Sequence, residues 1–148
     1  MNSQYNFKNS STAPSICRRI STTLNIALVS CLLARASAVE PVVTELMTKA
    51  LVNVPGKEVT MLTVSYPPGG ADPVHRHNAH AFVYVLEGSI VMQMKGDKEV
   101  TLHPGETFYE DPNGIHLVGR NASDKIPEKF VVFLVKEKGA PALVPVKE

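Results

Sequence analysis

The sequence predicts an all-β fold, a small barrel or sandwich of short strands. Three observations carry that reading. Eleven prolines and nine glycines are spread between short apolar runs, and turn-punctuated runs of this kind favour strands over helices. The chain has 148 residues, a length that suits one domain. His75 and His77 alternate across one arginine and lead into an apolar run closed by Gly88. In a strand that spacing sends both imidazoles to one face. The composition is 44% hydrophobic with a formal charge of +1, ordinary for a globular chain. It shows no basic excess of the kind that nucleic-acid binding requires, so no nucleic-acid partner is expected.

The first forty residues read differently. Residues 1–17 are polar, Arg18 and Arg19 follow, and an apolar run extends from Leu24 to Leu33 before Ala34-Arg35-Ala36-Ser37-Ala38. A basic region, a short apolar core and an Ala-x-Ala site are the parts of a secretory signal. They predict cleavage after Ala38, so that 1–38 is removed and 39–148 forms one exported domain, periplasmic or secreted. The apolar run is too short for a comfortable membrane span, and no span is expected in the mature form. Leu28-Val29-Ser30-Cys31 offers a competing lipobox, with a lipid anchor on Cys31. Leu32, Leu33 and the Ala-rich tail continue the signal beyond that cysteine and favour Ala38. Both cysteines, Cys17 and Cys31, fall in this segment. The domain after Ala38 therefore has no thiol for disulfides or catalysis.

The remaining residues form a series of strand candidates. Val42–Leu51 suits a first strand, a strand pair or a short helix, and Pro55-Gly56 marks a turn. Glu58–Tyr66 is a strand, with Val59, Met61 or Leu62, and Val64 as its apolar contacts. Pro67-Pro68-Gly69-Gly70 must be a loop, since proline cannot continue a central ladder. His75–His77 enters the next strand, and Ala81–Glu87 continues it or its partner. Ser89–Lys95 and Glu99–Leu102 read as a hairpin turning on Gly96-Asp97. Thr107–Glu110, Ile115–Arg120 and Lys129–Lys136 complete the set. The tail from Gly139 suits an edge or an extended arm.

These features resemble the cupin superfamily. Gly69, His75, His77 and Gly88 fall in register with the family's first motif, and Gly105 with His116 matches the offset of its second. The resemblance covers roughly residues 58–136 and implies a double-stranded β-helix, the jelly roll. It also implies a homodimer. One departure stands out: the glutamate that usually joins the metal-binding histidines should fall at position 81, where this chain has Ala81. Pro112 is also one residue off the family spacing.

His75, His77 and His116 are therefore the expected ligands of a mononuclear divalent metal ion. Imidazole suits first-row metals, iron foremost, with zinc, nickel, copper or manganese as alternatives. Without the carboxylate the protein would supply no negative charge, which favours an anionic or enolate-like substrate. His80 has the opposite parity to His75 and His77 on an unbroken strand, but a bulge between Asn78 and Ala81 would let it replace the missing ligand. His103, beside a Pro-Gly turn, is expected to be exposed and inert. Val83, Val85, Met92, Met94, Phe108, Val118 and Phe133 are candidates for the cavity wall, and Tyr84 and Tyr109 for a phenolic donor. Glu106 and Glu110 flank turns, where carboxylates are usually solvated, and neither is expected in the site. Asn121-Ala122-Ser123 fits a glycosylation sequon, though a structural role is favoured.

No catalytic residue is assigned at this level. The resemblance implies a non-haem dioxygenase-type oxidoreductase acting on a small oxygenated or aromatic compound, because some cupin-like dioxygenases use three histidines alone. A small-ligand binding protein without turnover, taking a sugar acid or a metal, and a metal-dependent isomerase or lyase are the alternatives, since one fold hosts many chemistries.

Overall fold

The computed structural model describes residues 39–146; the expected signal, Cys31 and the Ala38 junction lie outside them. The strands are β1 (Val42–Ala50), β2 (Lys57–Tyr66), β3 (His75–Arg76), β4 (His80–Glu87) and β5 (Ile90–Met94). They continue as β6 (Val100–Leu102), β7 (Thr107–Glu110), β8 (His116–Asn121), β9 (Glu128–Glu137) and β10 (Val144–Pro145). One sheet has the order β1-β2-β9-β4-β7 and the other β10-β3-β8-β5-β6, with every pairing antiparallel. This is the double-stranded β-helix expected from the sequence.

Strict alternation sets the core. On β2 the inward residues are Glu58, Thr60, Leu62, Val64 and Tyr66, and on β9 they include Phe130, Val132 and Leu134. The apolar ones, from Leu62 to Tyr66 and from Phe130 to Leu134, meet Val83, Val85, Ile90 and Met92 in one buried cluster, the arrangement that removes most apolar surface from water. Val59 and Met61 have the other parity and lie half-buried on the outer face. Phe133, expected on the cavity wall, is 38% exposed on that same outer face.

Between His75–Arg76 and His80–Glu87 the chain turns a corner, so the second run neither continues the first strand nor pairs with it. Asn78 adopts φ 49°, a left-handed conformation that asparagine tolerates better than most residues. β3 thereby belongs to one sheet and β4 to the other. A second irregularity lies in β8. Gln93 pairs with Val118 and Met94 with His116, leaving Leu117 as an extra residue. This bulge brings His116 and Gly119 both inward and turns Val118 off the wall.

The hairpin between β5 and β6 also differs from expectation. Asp97 N–H donates to Met94 C=O, which places Lys95-Gly96 at the centre of the turn, with Gly96 at φ 99°. Gly88 closes β4 at φ 70°, and a Cβ there would stand 2.6 Å from Pro127 O, so no side chain fits. Asn121 is buried, and its side-chain amide donates to the carbonyls of Tyr66, Pro67 and Ile126. That is the structural role favoured for the sequon.

Candidate metal centre

His75 and His116 are cross-strand partners of the β3–β8 ladder, and His77 follows β3 with the parity of His75. The three rings converge. His75 Nε2 lies 3.2 Å from His77 Nε2 and 3.4 Å from His116 Nδ1. A fourth group joins them. Glu110 Oε2 stands 3.3 Å from His77 Nε2 and 3.7 Å from His116 Nδ1. One ligating atom from each of the four residues lies within 4.8 Å of all the others.

Glu110 corrects the sequence reading. It is only 3% exposed, and it pairs directly with Ala81 across the β4–β7 ladder. The carboxylate missing at position 81 enters from the neighbouring strand, and the small alanine leaves it room. The protein therefore does supply a negative charge here. The legible signal was parity, because Phe108 faces inward on β7 and Glu110 lies two residues beyond it. Glu106 stays outside the cluster, where its carboxylate accepts from His103 N–H at 2.6 Å.

His80 does not replace the missing ligand. The corner at Asn78 leaves Ala79 and Ala81 buried and His80 exposed, so the ring points away from the cluster. Its Nδ1 lies 2.8 Å from Tyr109 Oη on the outer face. Tyr84 and Tyr109 are 44% and 48% exposed and offer the pocket no donor. The exposed His103 hydrogen-bonds with Ser89 Oγ at 2.8 Å.

The histidine tautomers follow from their outer partners. His75 Nδ1 lies 2.8 Å from Pro73 C=O, and His77 Nδ1 lies 2.6 Å from Ala142 C=O. A carbonyl only accepts, so both Nδ1 atoms carry hydrogen. In the neutral rings both Nε2 atoms then present lone pairs, 3.2 Å apart and facing a carboxylate. Lone pairs held that close repel unless a cation or a shared proton sits between them. Carbonyl-capped imidazoles of this kind are what orient histidine ligands around a metal. His116 Nε2 is buried without a partner among the described residues.

The electrostatics agree. Burial alone would raise the Glu110 pKa, but the His77 hydrogen bond and the surrounding histidines outweigh it and hold the carboxyl below its ordinary range. Burial works against His77 as a cation, yet Glu110 lifts it above the usual imidazole value. Burial, reinforced by His75 and His77, depresses His116 despite Glu110. With three imidazoles and one buried carboxylate, the donor set is one that could hold a divalent metal ion.

The cluster lines a cavity of about 340 Å³, adequate for a small molecule. Its walls include Leu62, Val64, Val83, Met92, Phe130 and Val132, and its polar lining includes Tyr66 and Asp72. Glu40, Pro41, Ala142 and Leu143 border it as well.

Comparison with known proteins places this fold in a family. The Cupin_2 model, described as a cupin domain, matches residues 62–134. No curated protein matches the chain by sequence. Among solved structures, an uncharacterized protein with a double-stranded beta-helix domain from Klebsiella pneumoniae aligns at TM-score 0.58 with 17% identity. That alignment covers 77% of this chain and 90% of the other. An oxalate oxidase in complex with glycolate aligns at TM-score 0.57 and 24% identity, over 75% of this chain and 57% of the oxidase. The DMSP lyase DddQ from Ruegeria pomeroyi aligns at TM-score 0.52 and 23% identity, over 60% and 43% of the two chains. This chain thus spans about half the length of either enzyme, and the likeness to them is one of fold. The matched domain and the two-sheet architecture make this chain a member of the cupin superfamily.

Proposed function

We propose that the protein holds one divalent transition metal on His75, His77, Glu110 and His116 and acts as a metal-dependent oxidoreductase on a small oxygenated compound. The observation that carries this reading is the carboxylate of Glu110 set among three imidazoles whose lone pairs converge inside a substrate-sized cavity. Imidazole with a carboxylate and no thiolate favours iron or manganese more than a purely nitrogenous site would. A metal bound there supplies Lewis acidity and, if redox-active, electron transfer. The chain's own residues orient the histidines through Pro73 and Ala142 and exclude water with the apolar walls. The likeness in fold to an oxalate oxidase is compatible with oxygen-dependent chemistry.

The test begins with elemental analysis of purified wild type, His116→Ala and Glu110→Ala. Stoichiometric metal in the first and its loss from both variants is the expected result. An oxygen electrode then reads oxygen uptake with small hydroxy acids, diketones and catechols. Metal-replete protein that turns over one of these without consuming oxygen would reassign it as a lyase or isomerase.

We also infer export by cleavage at Ala38, four residues ahead of the start of β1, and a homodimer formed through the outer face of the β1-β2-β9-β4-β7 sheet. Phe82, Tyr84, Tyr109 and Phe133 on that face are all 38–48% exposed and lie on adjacent strands. They present roughly 400 Å² of aromatic surface. Val59, Met61 and the exposed β1 bring the face toward the ~800 Å² per partner of a stable interface. A second copy fits because the resemblance implies one and because an exposed apolar patch of this extent marks an interaction surface.

A further inference from the structure

The cavity has a second polar end that the metal centre does not use. The Tyr66 hydroxyl donates to Asp72 Oδ2, and both residues line the cavity that holds the four candidate ligands. Gly119 shows how close the two ends come. A Cβ built on Gly119 would lie 3.0 Å from His116 Cε1, 3.3 Å from Tyr66 Oη and 3.5 Å from Asp72 Oδ2. Three groups from three parts of the chain thus converge on one small space, which the absence of a side chain at Gly119 keeps open.

The position of Asp72 is built in. The loop after β2 runs along β8, with Ala71 bridged to Arg120 and Asp72 N–H donating to Gly119 C=O at 2.8 Å. The chemistry at this end is one-sided. The only proton of the phenol is committed to Asp72, while the phenolic oxygen keeps a lone pair to accept. The carboxylate accepts only, and the Asp72 amide is already spent on Gly119. Burial, followed by the neighbouring charge of Asp72, pushes the Tyr66 phenol upward and keeps it protonated. A substrate carboxylate or phosphate placed here would meet acceptors alone. A hydroxyl or ammonium group would be satisfied.

We propose that Tyr66 and Asp72 form a specificity element selecting substrates that carry a hydrogen-bond donor, hydroxyl or ammonium, a few bonds from the oxygen that faces the metal. This rests on the metal centre proposed above for the other end of the cavity. The apolar side chains that line the same cavity suit the substrate's carbons. A pair that served only to tie β2 to its loop would leave ligand preference unchanged when altered, and this separates the two roles.

The experiment is calorimetric titration of the Mn(II)-loaded protein with matched acids: propionate against 3-hydroxypropionate and β-alanine, and butyrate against 4-hydroxybutyrate. At least one donor-bearing member is expected to bind tenfold or more tightly than its parent. In Asp72→Asn and in Tyr66→Phe that preference falls to under twofold, with metal content unchanged. Equal binding of every pair by wild type, or a preference retained in both variants, overturns the proposal. Asp72→Asn is isosteric at a half-buried position and decides alone if Tyr66→Phe does not fold. The same titrations on metal-free protein separate the two readings. A wild type that takes up no metal sinks the metal centre, while the donor preference still stands or falls with Asp72→Asn.

Discussion

Ala81 and Glu110 face each other across one rung of the β4–β7 ladder, and directly opposed residues share a sheet face. A carboxylate can therefore reach the same cavity from either position. Exchanging the two side chains tests this: Ala81→Glu with Glu110→Ala should retain metal that Glu110→Ala alone loses. Glu110→Gln keeps the shape and removes the charge. It should weaken metal binding at least about tenfold, a loss typical even for the outer partners of metal ligands, as read by competition with a chromogenic chelator. Sequence reading found the three histidines because their types and spacing announce them. It missed Glu110 because the carboxylate becomes meaningful only once register sets it opposite Ala81, and register is a long-range property. Glu128 makes a separate prediction. It is 1% exposed, both carboxylate oxygens lack partners among the described residues, and burial pushes its pKa up to about 8. The folded protein then holds a proton that the unfolded chain releases near its ordinary 4.5. The stability from Glu128 is fully present below that value and is lost as pH rises through about 8. Thermal melts should show Tm falling between pH 5 and 8 in wild type, with a smaller fall in Glu128→Gln.

At the scale of elements, the corner at Asn78 decides which sheet each half of the histidine segment joins. A β-branched residue resists its positive φ, so Asn78→Val should cost about 1–2 kcal/mol in urea unfolding, whereas Asn78→Gly should be nearly neutral. Strands with unbroken alternation were legible: β7 lies where expected, and β2 and β9 differ from their predicted spans by a residue at one or both ends. Two features were not. The change of sheet at Asn78 and the extra residue Leu117 in β8 are single-residue backbone events with no periodicity of their own. The tail from Gly139 was expected as an edge or arm, and it pairs as β10 with β3, setting Pro145 opposite His75. That pairing carries Ala142 to His77, a connection that local pattern cannot reveal.

For the molecule as a whole, the fold was legible because turn spacing, strand length and the two histidine motifs all agreed. The proposed dimer gives the outer sheet face a measurable role. Light scattering coupled to gel filtration should report twice the chain mass for wild type and a monomer for Phe82→Asp with Tyr109→Asp, since a desolvated carboxylate at the centre of an apolar interface is not tolerated. A monomeric wild type, or a variant that stays dimeric, would remove that role.

The outer partner of His77 lies 65 positions away along the chain, and His75 and His116 lie 41 apart. Contacts this distant in sequence form only as the sheets themselves assemble. A nascent chain thus carries the histidines long before it carries a site, and in loose form they would follow the general affinity order that favours copper and nickel. Only the closed barrel imposes a carboxylate, fixed tautomers and a set geometry. If the chain crosses a membrane unfolded, as the export proposed above requires, the ion is chosen where folding finishes. The metal inventory of the destination, more than that of the compartment of synthesis, would then set which chemistry the protein can perform.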